Sequence, residues 1–316
     1  MTSNADRSNR PAIQAASATN RSNRTSWFER LLHRSETARG LTLLSPSLLF
    51  LIFAIIIPFL ILVVMSFWRA VGFDFDTNLT TFNYEQIGER PIYMALLQRS
   101  ISISAITTIV TVGLCYPMAY YLAFHVHRNK MMWIILITLP FWTSYLLRVF
   151  AWKVVLGYEG VINSSLLTLG VIDEPIKVLL YSKTAVIITL SHAWAAFALL
   201  PLFVSLDKID RSLLEAATDL GDGPLKRFFR IILPLSVPGI ISASLLIFIP
   251  TTGDYITPAL IGGPDGAMIG NLIQKQFGAI NNWSMGAALS IVLMLIIAFI
   301  SLGYVGLSML VRNRIS

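Results

Sequence analysis

Residues 212–234 read Ser-Leu-Leu-Glu-Ala-Ala-Thr-Asp-Leu-Gly-Asp-Gly-Pro-Leu-Lys-Arg-Phe-Phe-Arg-Ile-Ile-Leu-Pro and lie between two long apolar segments. Ser212 and Glu215 have the spacing of a capping box, which predicts the start of a short helix. The Gly-Asp-Gly sequence that follows breaks this helix, and Pro224 is well placed to begin the next one. The second helix is basic and amphipathic, and we expect Pro234 and Pro238 to end it. A charged loop of this shape suggests the docking of another protein.

The composition of the whole chain is that of a polytopic membrane protein. Of its 316 residues, 55% are hydrophobic and only 13% are charged, whereas soluble domains carry about 25% charged residues. Apolar runs of about 20 residues cross a bilayer as helices, because a helix satisfies its backbone polar groups internally. We therefore predict an all-α fold with six transmembrane helices, at roughly 42–68, 101–124, 131–156, 185–206, 238–262 and 285–311.

The distribution of Lys and Arg predicts the orientation of the chain. The N-terminal segment, the loops 125–130 and 207–237 and the C-terminus together hold sixteen of these residues, and the alternate loops hold six. Because positively charged loops stay in the cytoplasm, both termini and the 207–237 loop are expected there. Residues 1–40 are interpreted as a disordered, basic cytoplasmic segment, and residues 41–316 as the six-helix domain. The net charge of +7 then reflects topology rather than nucleic-acid binding.

Two prolines and a glycine lie close together in the fifth predicted segment, in the sequence Pro-Thr-Thr-Gly-Asp-Tyr-Ile-Thr-Pro at 250–258. We expect them to break the helix, which is tolerated at membrane depth where the backbone faces protein or a water-filled cavity. Within the break, Asp254 supplies a carboxylate and Tyr255 an aromatic face, a combination that suits a cation. The alternative is that Asp254 lies near the outer interface and merely caps the broken helix.

Trp142, Tyr145 and Arg148 follow Pro140 in the third predicted segment, where the proline favours a kink. Trp142 and Tyr145 are candidates for the lining of a substrate pathway, together with the acidic and aromatic pair of the fifth segment. The alternative is an outer aromatic belt, in which Arg148 extends its charged end toward the interface.

The sequence contains no catalytic motif. There is no cluster of metal ligands, no nucleophile elbow and no phosphate-binding glycine-rich loop. An ATP-driven activity would therefore need a nucleotide site on another chain. His192 is interpreted as a packed histidine rather than a proton relay. Cys115 is the single cysteine, so an intrachain disulfide is excluded.

The 207–237 loop resembles the signature loop of ATP-binding-cassette (ABC) importer permeases. The resemblance rests on Glu215-Ala216-Ala217, on Gly221 and on Ile231-Ile232-Leu233-Pro234, each of which matches the pattern of that family. Other stretches are similar to its spermidine/putrescine permease subfamily, namely 139–143, 147–148, 170–173, 253–263 and 269–273. The similarity covers roughly residues 40–312.

This resemblance implies the type I ABC importer permease fold and an importer of small organic cations, without enzymatic activity in this chain. Two ATPase subunits, which bind ATP and Mg, a second permease subunit and a periplasmic binding protein would complete the importer. By resemblance, Glu215, Ala216, Ala217 and Gly221 contact the ATPase as part of a coupling helix. The expected location is the bacterial inner membrane, in contact with lipids and without a nucleic-acid partner.

Four alternatives differ from this hypothesis in what they require. An importer of another small organic solute would have a very similar loop. A secondary carrier would work without ATP and predicts carboxylates in several segments, whereas Asp254 is the main one here. An integral membrane enzyme predicts clustered His, Asp or Glu at one interface. A passive channel predicts a symmetric homo-oligomer.

Overall fold

The computed structural model describes residues 36–72, 74–176 and 179–315. The chain divides into two compact units, residues 1–61 and 62–316. In the first unit the described residues form most of helix α1 (Glu36–Ser66). Residues 36–40 are therefore helical, where the sequence predicts disorder. The remainder of the predicted disordered segment, residues 1–35, lies outside the described residues.

Among the described residues of the second unit, the strands are β1 (Arg69–Val71) and β2 (Asp74–Asp76), which pair antiparallel in a short hairpin, and the other regular elements are helices. The helices follow in the order α2 (Phe82–Glu89), α3 (Pro91–Phe124), α4 (Lys130–Thr138), α5 (Tyr145–Val155), α6 (Val161–Thr168), α7 (Lys183–Asp207), α8 (Arg211–Asp219), α9 (Pro224–Arg227), α10 (Leu233–Thr252), α11 (Gly263–Gly266), α12 (Ile269–Phe277) and α13 (Trp283–Ile315).

Five helices in the described part of the chain are long and apolar enough to cross a membrane. They are Leu43–Ser66, Pro91–Phe124, Lys183–Asp207, Pro224–Thr252 and Trp283–Gly306. A sixth crossing exists if the bent pair Lys130–Trp142 and Tyr145–Val155 is counted as one segment. The all-α, polytopic fold predicted from composition is confirmed.

The third predicted segment, 131–156, is broken rather than continuous. Its two halves meet at an angle of 83°. Helix α4 passes into a 3-10 turn at Leu139–Trp142, and the backbone is extended at Thr143. Pro140 in that turn has no N–H to continue the ladder, and its ring clashes with the preceding turn of a regular helix. The kink expected from Pro140 is thus a sharp break, after which α5 starts in a new direction.

The fifth segment begins earlier and ends earlier than the predicted 238–262. It runs as one helix from Pro224 to Thr252, through a π-helical turn at Phe228–Ile232. The expectation that Pro234 and Pro238 end the basic helix is wrong, because both lie within this helix. Single π-turns of this kind occur within α-helices without ending them. The predicted break is confirmed, since the helix ends at Thr252 and turns helical again only before Pro258.

Helices α3, α7 and α10 pack together around one apolar core. Their buried side chains include Cys115, Ala119, Leu122, Leu199, Leu202, Leu206, Ala243 and Ile247. The thiol of Cys115 lies 3.4 Å from the carbonyl oxygen of Ala195 on α7. Gly239 permits the closest approach, because a Cβ there would overlap the Cβ of Ser205 on α7. The core therefore holds α10 tightly against α7 just beyond the 207–237 loop.

The segments 69–100 and 157–184 contain short helices, α2 and α6. Each is braced by a buried asparagine. Asn83 donates to the carbonyl oxygens of Ser66 and Trp68, at 2.9 and 2.7 Å. Asn163 accepts from the backbone N–H of Ile176 at 2.9 Å. Helix α12 was not expected from the sequence.

Candidate functional site

The first helix of the 207–237 loop, α8, is capped differently from the sequence prediction. Its N-cap is Asp210, whose carboxylate accepts from the backbone N–H of Ser212 at 3.0 Å. This hydrogen bond lowers the pKa of Asp210 and keeps the group ionised at the helix N-terminus. The capping box predicted for Ser212 and Glu215 is therefore wrong. Glu215 is exposed and is not used to begin the helix.

The turn after α8 requires Gly221, as the sequence predicts. Its φ angle is +83°, a left-handed conformation that glycine adopts without steric cost. The backbone N–H of Asp222 reaches back to the carbonyl of Ala217 at 2.9 Å, and that of Gly221 to Thr218 at 2.9 Å. These bonds satisfy the last carbonyls of α8. Pro224 then begins α9, also as predicted.

The side chain of Asp222 fastens the turn to the second helix of the loop, a role that the sequence did not reveal. Its side chain is buried and lies 2.5 Å from Lys226 Nζ and 3.6 Å from Arg230 Nη1. The hydrogen bond from Lys226 is the main cause that lowers the pKa of Asp222. Arg227 donates to the hydroxyl of Thr218 on α8 at 2.5 Å. The basic residues of the loop therefore also fix its shape.

The four residues predicted to contact an ATPase do not all face outward. Glu215, Ala216 and Gly221 are exposed. Ala217 is buried, and Leu214 packs against the core cluster, so α8 turns this face toward the rest of the chain. While the loop keeps this conformation, Ala217 cannot offer its side chain to a separate chain.

Large apolar side chains surround the exposed part of the loop. Leu220, Leu225 and Phe229 are 85%, 76% and 64% exposed. Exposed apolar groups that lie close together commonly mark an interaction site. We call these three residues, with Glu215, Ala216 and Gly221, the loop surface.

The loop is fastened to the neighbouring turn at 125–130. Arg211 Nη1 lies 3.1 Å from His127 Nε2, and Lys130 Nζ lies 2.6 Å from the carboxylate of Asp207. Arg211 and Lys130 both also donate to the carbonyl oxygen of Ala123, at the end of α3. Arg211 thus holds the start of α8 against the end of α3 and the turn that follows it.

A second cluster forms where the broken third segment meets the break in the fifth. The hydroxyl of Tyr145 donates to Asp254 Oδ2 at 2.7 Å and lies 2.6 Å from Thr257 Oγ1. The other carboxylate oxygen of Asp254 accepts from the backbone N–H of Ile256 at 3.0 Å. Asp254 therefore caps the resumed helix, and it also holds Tyr145 from a different segment. The structure brings together two predicted pathway residues that are far apart in sequence, and it adds the fully buried Thr257.

The other two predicted pathway residues lie apart from this cluster. Trp142 is 88% exposed, as a residue of an outer aromatic belt would be. Tyr255 is 46% exposed and lines a groove of about 670 Å³ between α10, α12 and α13, next to Gly253. A role of either residue in a pathway stays a prediction.

Arg148 completes the cluster. Its guanidinium lies 5.2 Å from the ring centre of Phe141 and 5.8 Å from that of Tyr145, within the range of cation–π contacts. Its Nη1 donates to the carbonyl oxygen of Ala193 at 3.1 Å. Arg148 therefore turns inward rather than toward the interface. The ring of His192 lies 5.7 Å from that of Phe141 and 5.5 Å from that of Trp152, but the residue itself is exposed, so its interpretation as a packed histidine stays a prediction.

The crossing helices, the seated loop and the polar cluster together define an integral membrane transport component. The chain belongs to the family described as the binding-protein-dependent transport system inner membrane component, whose model matches residues 38–313. The permease identity inferred from the loop is thereby confirmed.

Two relatives and one solved structure show how far the similarity extends. The chain is 36% identical over 266 residues to the spermidine/putrescine transport system permease protein PotB of Haemophilus influenzae, covering 84% of this chain and 92% of the relative. It is 34% identical over 221 residues to the inner membrane ABC transporter permease protein YdcU of Escherichia coli, covering 66% and 70%. A chain of a bacterial ABC transporter involved in the import of the acidic polysaccharide alginate has the same fold, with a TM-score of 0.68, 16% identity, and coverage of 88% and 97%.

Proposed function

We propose that this chain is one of two permease subunits of an ATP-driven importer of polyamines such as spermidine and putrescine. The observation that carries the cargo class is the carboxylate of Asp254, placed with aromatic side chains where two broken segments meet. A carboxylate with aromatic faces suits an organic ammonium group. The relatives named as spermidine/putrescine permeases support the same cargo.

The loop surface is the proposed docking site for a cytoplasmic ATPase, which binds ATP and Mg. A second permease, a second ATPase subunit and a periplasmic binding protein complete the importer in the bacterial inner membrane. The termini and the loop then lie in the cytoplasm. The exposed Glu215 and Leu220 support this role, because they are available to another chain.

The structure suggests how a movement of the loop reaches the polar cluster. The helix Pro224–Thr252 continues without interruption over 29 residues, or about 43 Å at about 1.5 Å per residue. Its first turn is tied to α8 by the hydrogen bond from Arg227 to Thr218, and its last residue directly precedes the break that contains Asp254. When ATP draws the two ATPase subunits together, a shift at one end of this helix displaces the other end. Alternating access requires such a two-state element, which both ATP and cargo bias.

The experiment is uptake by the complex purified from its native membrane and reconstituted with its binding protein. Asp254→Asn keeps the shape of the side chain and removes its charge. We expect it to lower putrescine and spermidine uptake at least tenfold while ATP hydrolysis without cargo falls less than twofold, as estimated from the strength of charged hydrogen bonds (about 1.5–3 kcal/mol). Asp265→Asn, at an exposed acid of the same region, is the matched control.

Two outcomes would contradict the proposal. If Asp254→Asn changed uptake and cargo-independent ATP hydrolysis equally, Asp254 would be a helix cap and not a cargo-binding residue. ATP-driven uptake of a different solute by the wild-type complex would keep the permease assignment and reject the polyamine cargo.

A further inference from the structure

The cargo-binding groups of the polar cluster are occupied by the chain itself. Asp254 accepts from Tyr145 at 2.7 Å and from the backbone of Ile256 at 3.0 Å. Because the single proton of the Tyr145 hydroxyl goes to the carboxylate, Thr257 is the donor in the 2.6 Å contact with that hydroxyl. Thr257 is fully buried, so this chain of hydrogen bonds is anchored inside the protein.

The aromatic faces of the cluster are occupied as well. The guanidinium of Arg148 lies over the rings of Phe141 and Tyr145. In the described ranges 36–72, 74–176 and 179–315, three ion pairs form, and none includes Arg148 or Asp254. The Nε of Arg148 is buried without a hydrogen-bond partner. A cation held in a membrane segment without a carboxylate is costly, which makes it a candidate for function.

Tyr145 joins the two halves of this arrangement. Its hydroxyl donates a hydrogen bond to the carboxylate of Asp254, and its ring lies beneath the guanidinium of Arg148. We propose that Tyr145 and Arg148 are internal competitors of the cargo, Tyr145 for the carboxylate of Asp254 and Arg148 for the aromatic faces. The inference rests on the proposed function and describes the state in which the permease rejects cargo.

The arrangement also specifies the chemistry of the ligand. A ligand must displace both internal competitors at once, Tyr145 from the carboxylate and Arg148 from the aromatic faces. Both positions lie next to Tyr145. A diamine carries one ammonium group for each position, with apolar methylene groups between them. A monoamine of the same length can replace only one of the two internal competitors. The cluster therefore favours putrescine over 1-aminobutane.

Competition and direct cargo binding predict changes of opposite sign. If the Tyr145 hydroxyl competes with cargo, Tyr145→Phe frees Asp254 and tightens binding, by about tenfold for the loss of one hydrogen bond to a charged group. If the hydroxyl binds cargo, the same substitution weakens binding. Arg148→Gln should also tighten binding, and Arg148→Lys should restore the wild-type value because it retains the cation.

The test is equilibrium binding of labelled putrescine to the whole transporter complex in nanodiscs, without the binding protein and without ATP. Tyr145→Phe and Arg148→Gln are each expected to bind putrescine about tenfold more tightly than wild type, with a smaller gain for 1-aminobutane. Thr257→Val keeps the side-chain shape and loosens Tyr145, so we expect a smaller gain. Tyr158→Phe, at a half-exposed tyrosine of the 157–184 segment, is the control and should bind as wild type does.

Weaker or unchanged binding in Tyr145→Phe would overturn the inference, as would a lack of binding in every variant. Assembly with the ATPase and ATP hydrolysis by each variant show that the complex is intact. Putrescine uptake by the wild-type complex is measured separately. If uptake occurs and the variants do not bind more tightly, the competition is refuted while the proposed cargo stands.

Discussion

Asp222 is buried at the turn of the 207–237 loop, with Lys226 and Arg230 beside its carboxylate. The hydrogen bond from Lys226 lowers its pKa, so that the folded loop favours the ionised form. For a group with a lowered pKa, the stabilisation is fully present at neutral pH and is lost as the pH falls through that lowered value. The loop therefore keeps this tie at neutral pH.

Asp222→Asn should loosen the connection between α8 and the helix that follows it. The amide keeps the size of the side chain and loses the charge that holds Lys226 and Arg230. We expect uptake per ATP hydrolysed to fall several-fold while the protein still assembles with its ATPase. The measurement is the ratio of uptake to hydrolysis in proteoliposomes. Asp219→Asn, at an exposed acid on α8, should leave the ratio unchanged.

Glu215→Lys reverses the charge of the loop surface at a position that makes no capping contact. Since the side chain is exposed, we expect the fold to be unaffected and the ATPase to be lost or uncoupled. Co-purification of the ATPase and uptake by the variant are the two readouts. Glu89→Lys reverses an exposed charge at the end of α2 and serves as the control. Normal uptake by Glu215→Lys would refute the docking assignment.

Residue-level prediction from sequence succeeded where backbone conformation decides the residue. Gly221 has the positive φ expected of a helix-ending glycine. Prediction was less successful where the outcome depends on packing, because the sequence of a helix does not show which of two adjacent small residues is buried. Ala217 is buried while its neighbour Ala216 is exposed. The contact between Tyr145 and Asp254 depends on how two broken segments meet, which no local pattern encodes.

At the scale of elements, the breaks are as informative as the helices. Prolines commonly end or bend a helix, yet prolines occupy three different kinds of position in this structure. Pro140 lies in the sharp break of the third segment, Pro224 begins a helix, and Pro238 lies inside one. The difference comes from the neighbouring structure: a π-turn just before α10 and close packing against α7 keep the fifth segment helical. Sequence alone gives the candidate positions of a break but not which of them is used.

The contact between α7 and α10 should tolerate no added atom at Gly239. A Cβ there would overlap Ser205, and its second neighbour is a backbone carbonyl that cannot rotate away. Gly239→Ala should therefore destabilise the protein by about 1–3 kcal/mol, the usual cost of overpacking. Thermal unfolding in detergent, followed by tryptophan fluorescence, measures the loss.

Gly113→Ala is the matched control for this prediction. A Cβ at Gly113 meets nothing within 4 Å, and the residue lies in the interior of α3. There, alanine favours the helix by up to about 1 kcal/mol over glycine. The control should unfold at the same or a higher temperature, and equal destabilisation of both variants would contradict the packing argument.

At the scale of the whole molecule, the predicted orientation in the membrane rests on charge alone. The segments predicted to be cytoplasmic carry sixteen Lys and Arg residues, against six for the alternate loops. The helix pattern agrees with six crossings when the bent pair is counted as one. With six crossings, both termini are expected on the same side, as the charge pattern predicts.

A reporter fused to the C-terminus tests this orientation. We expect green fluorescent protein at that position to fluoresce and alkaline phosphatase to be inactive, because the first matures in the cytoplasm and the second outside it. The opposite pattern is expected for fusions at Gly170, an exposed turn residue of the 157–184 segment with a φ angle of +67°. An active phosphatase at the C-terminus would show the opposite orientation. The loop surface would then lie outside the cytoplasm, where it could not contact the proposed ATPase.

The buried position of Cys115 has a practical consequence for following the motion of this permease. It is the only thiol of the chain, and it is packed between α3 and α7 with 4% of its surface exposed. Maleimide dyes therefore find no accessible thiol on the native protein. A cysteine introduced at Leu220 and another at Val171, which is 66% exposed, would be labelled selectively, without first replacing the natural one. Fluorescence energy transfer between such a pair can follow a single permease through its transport cycle.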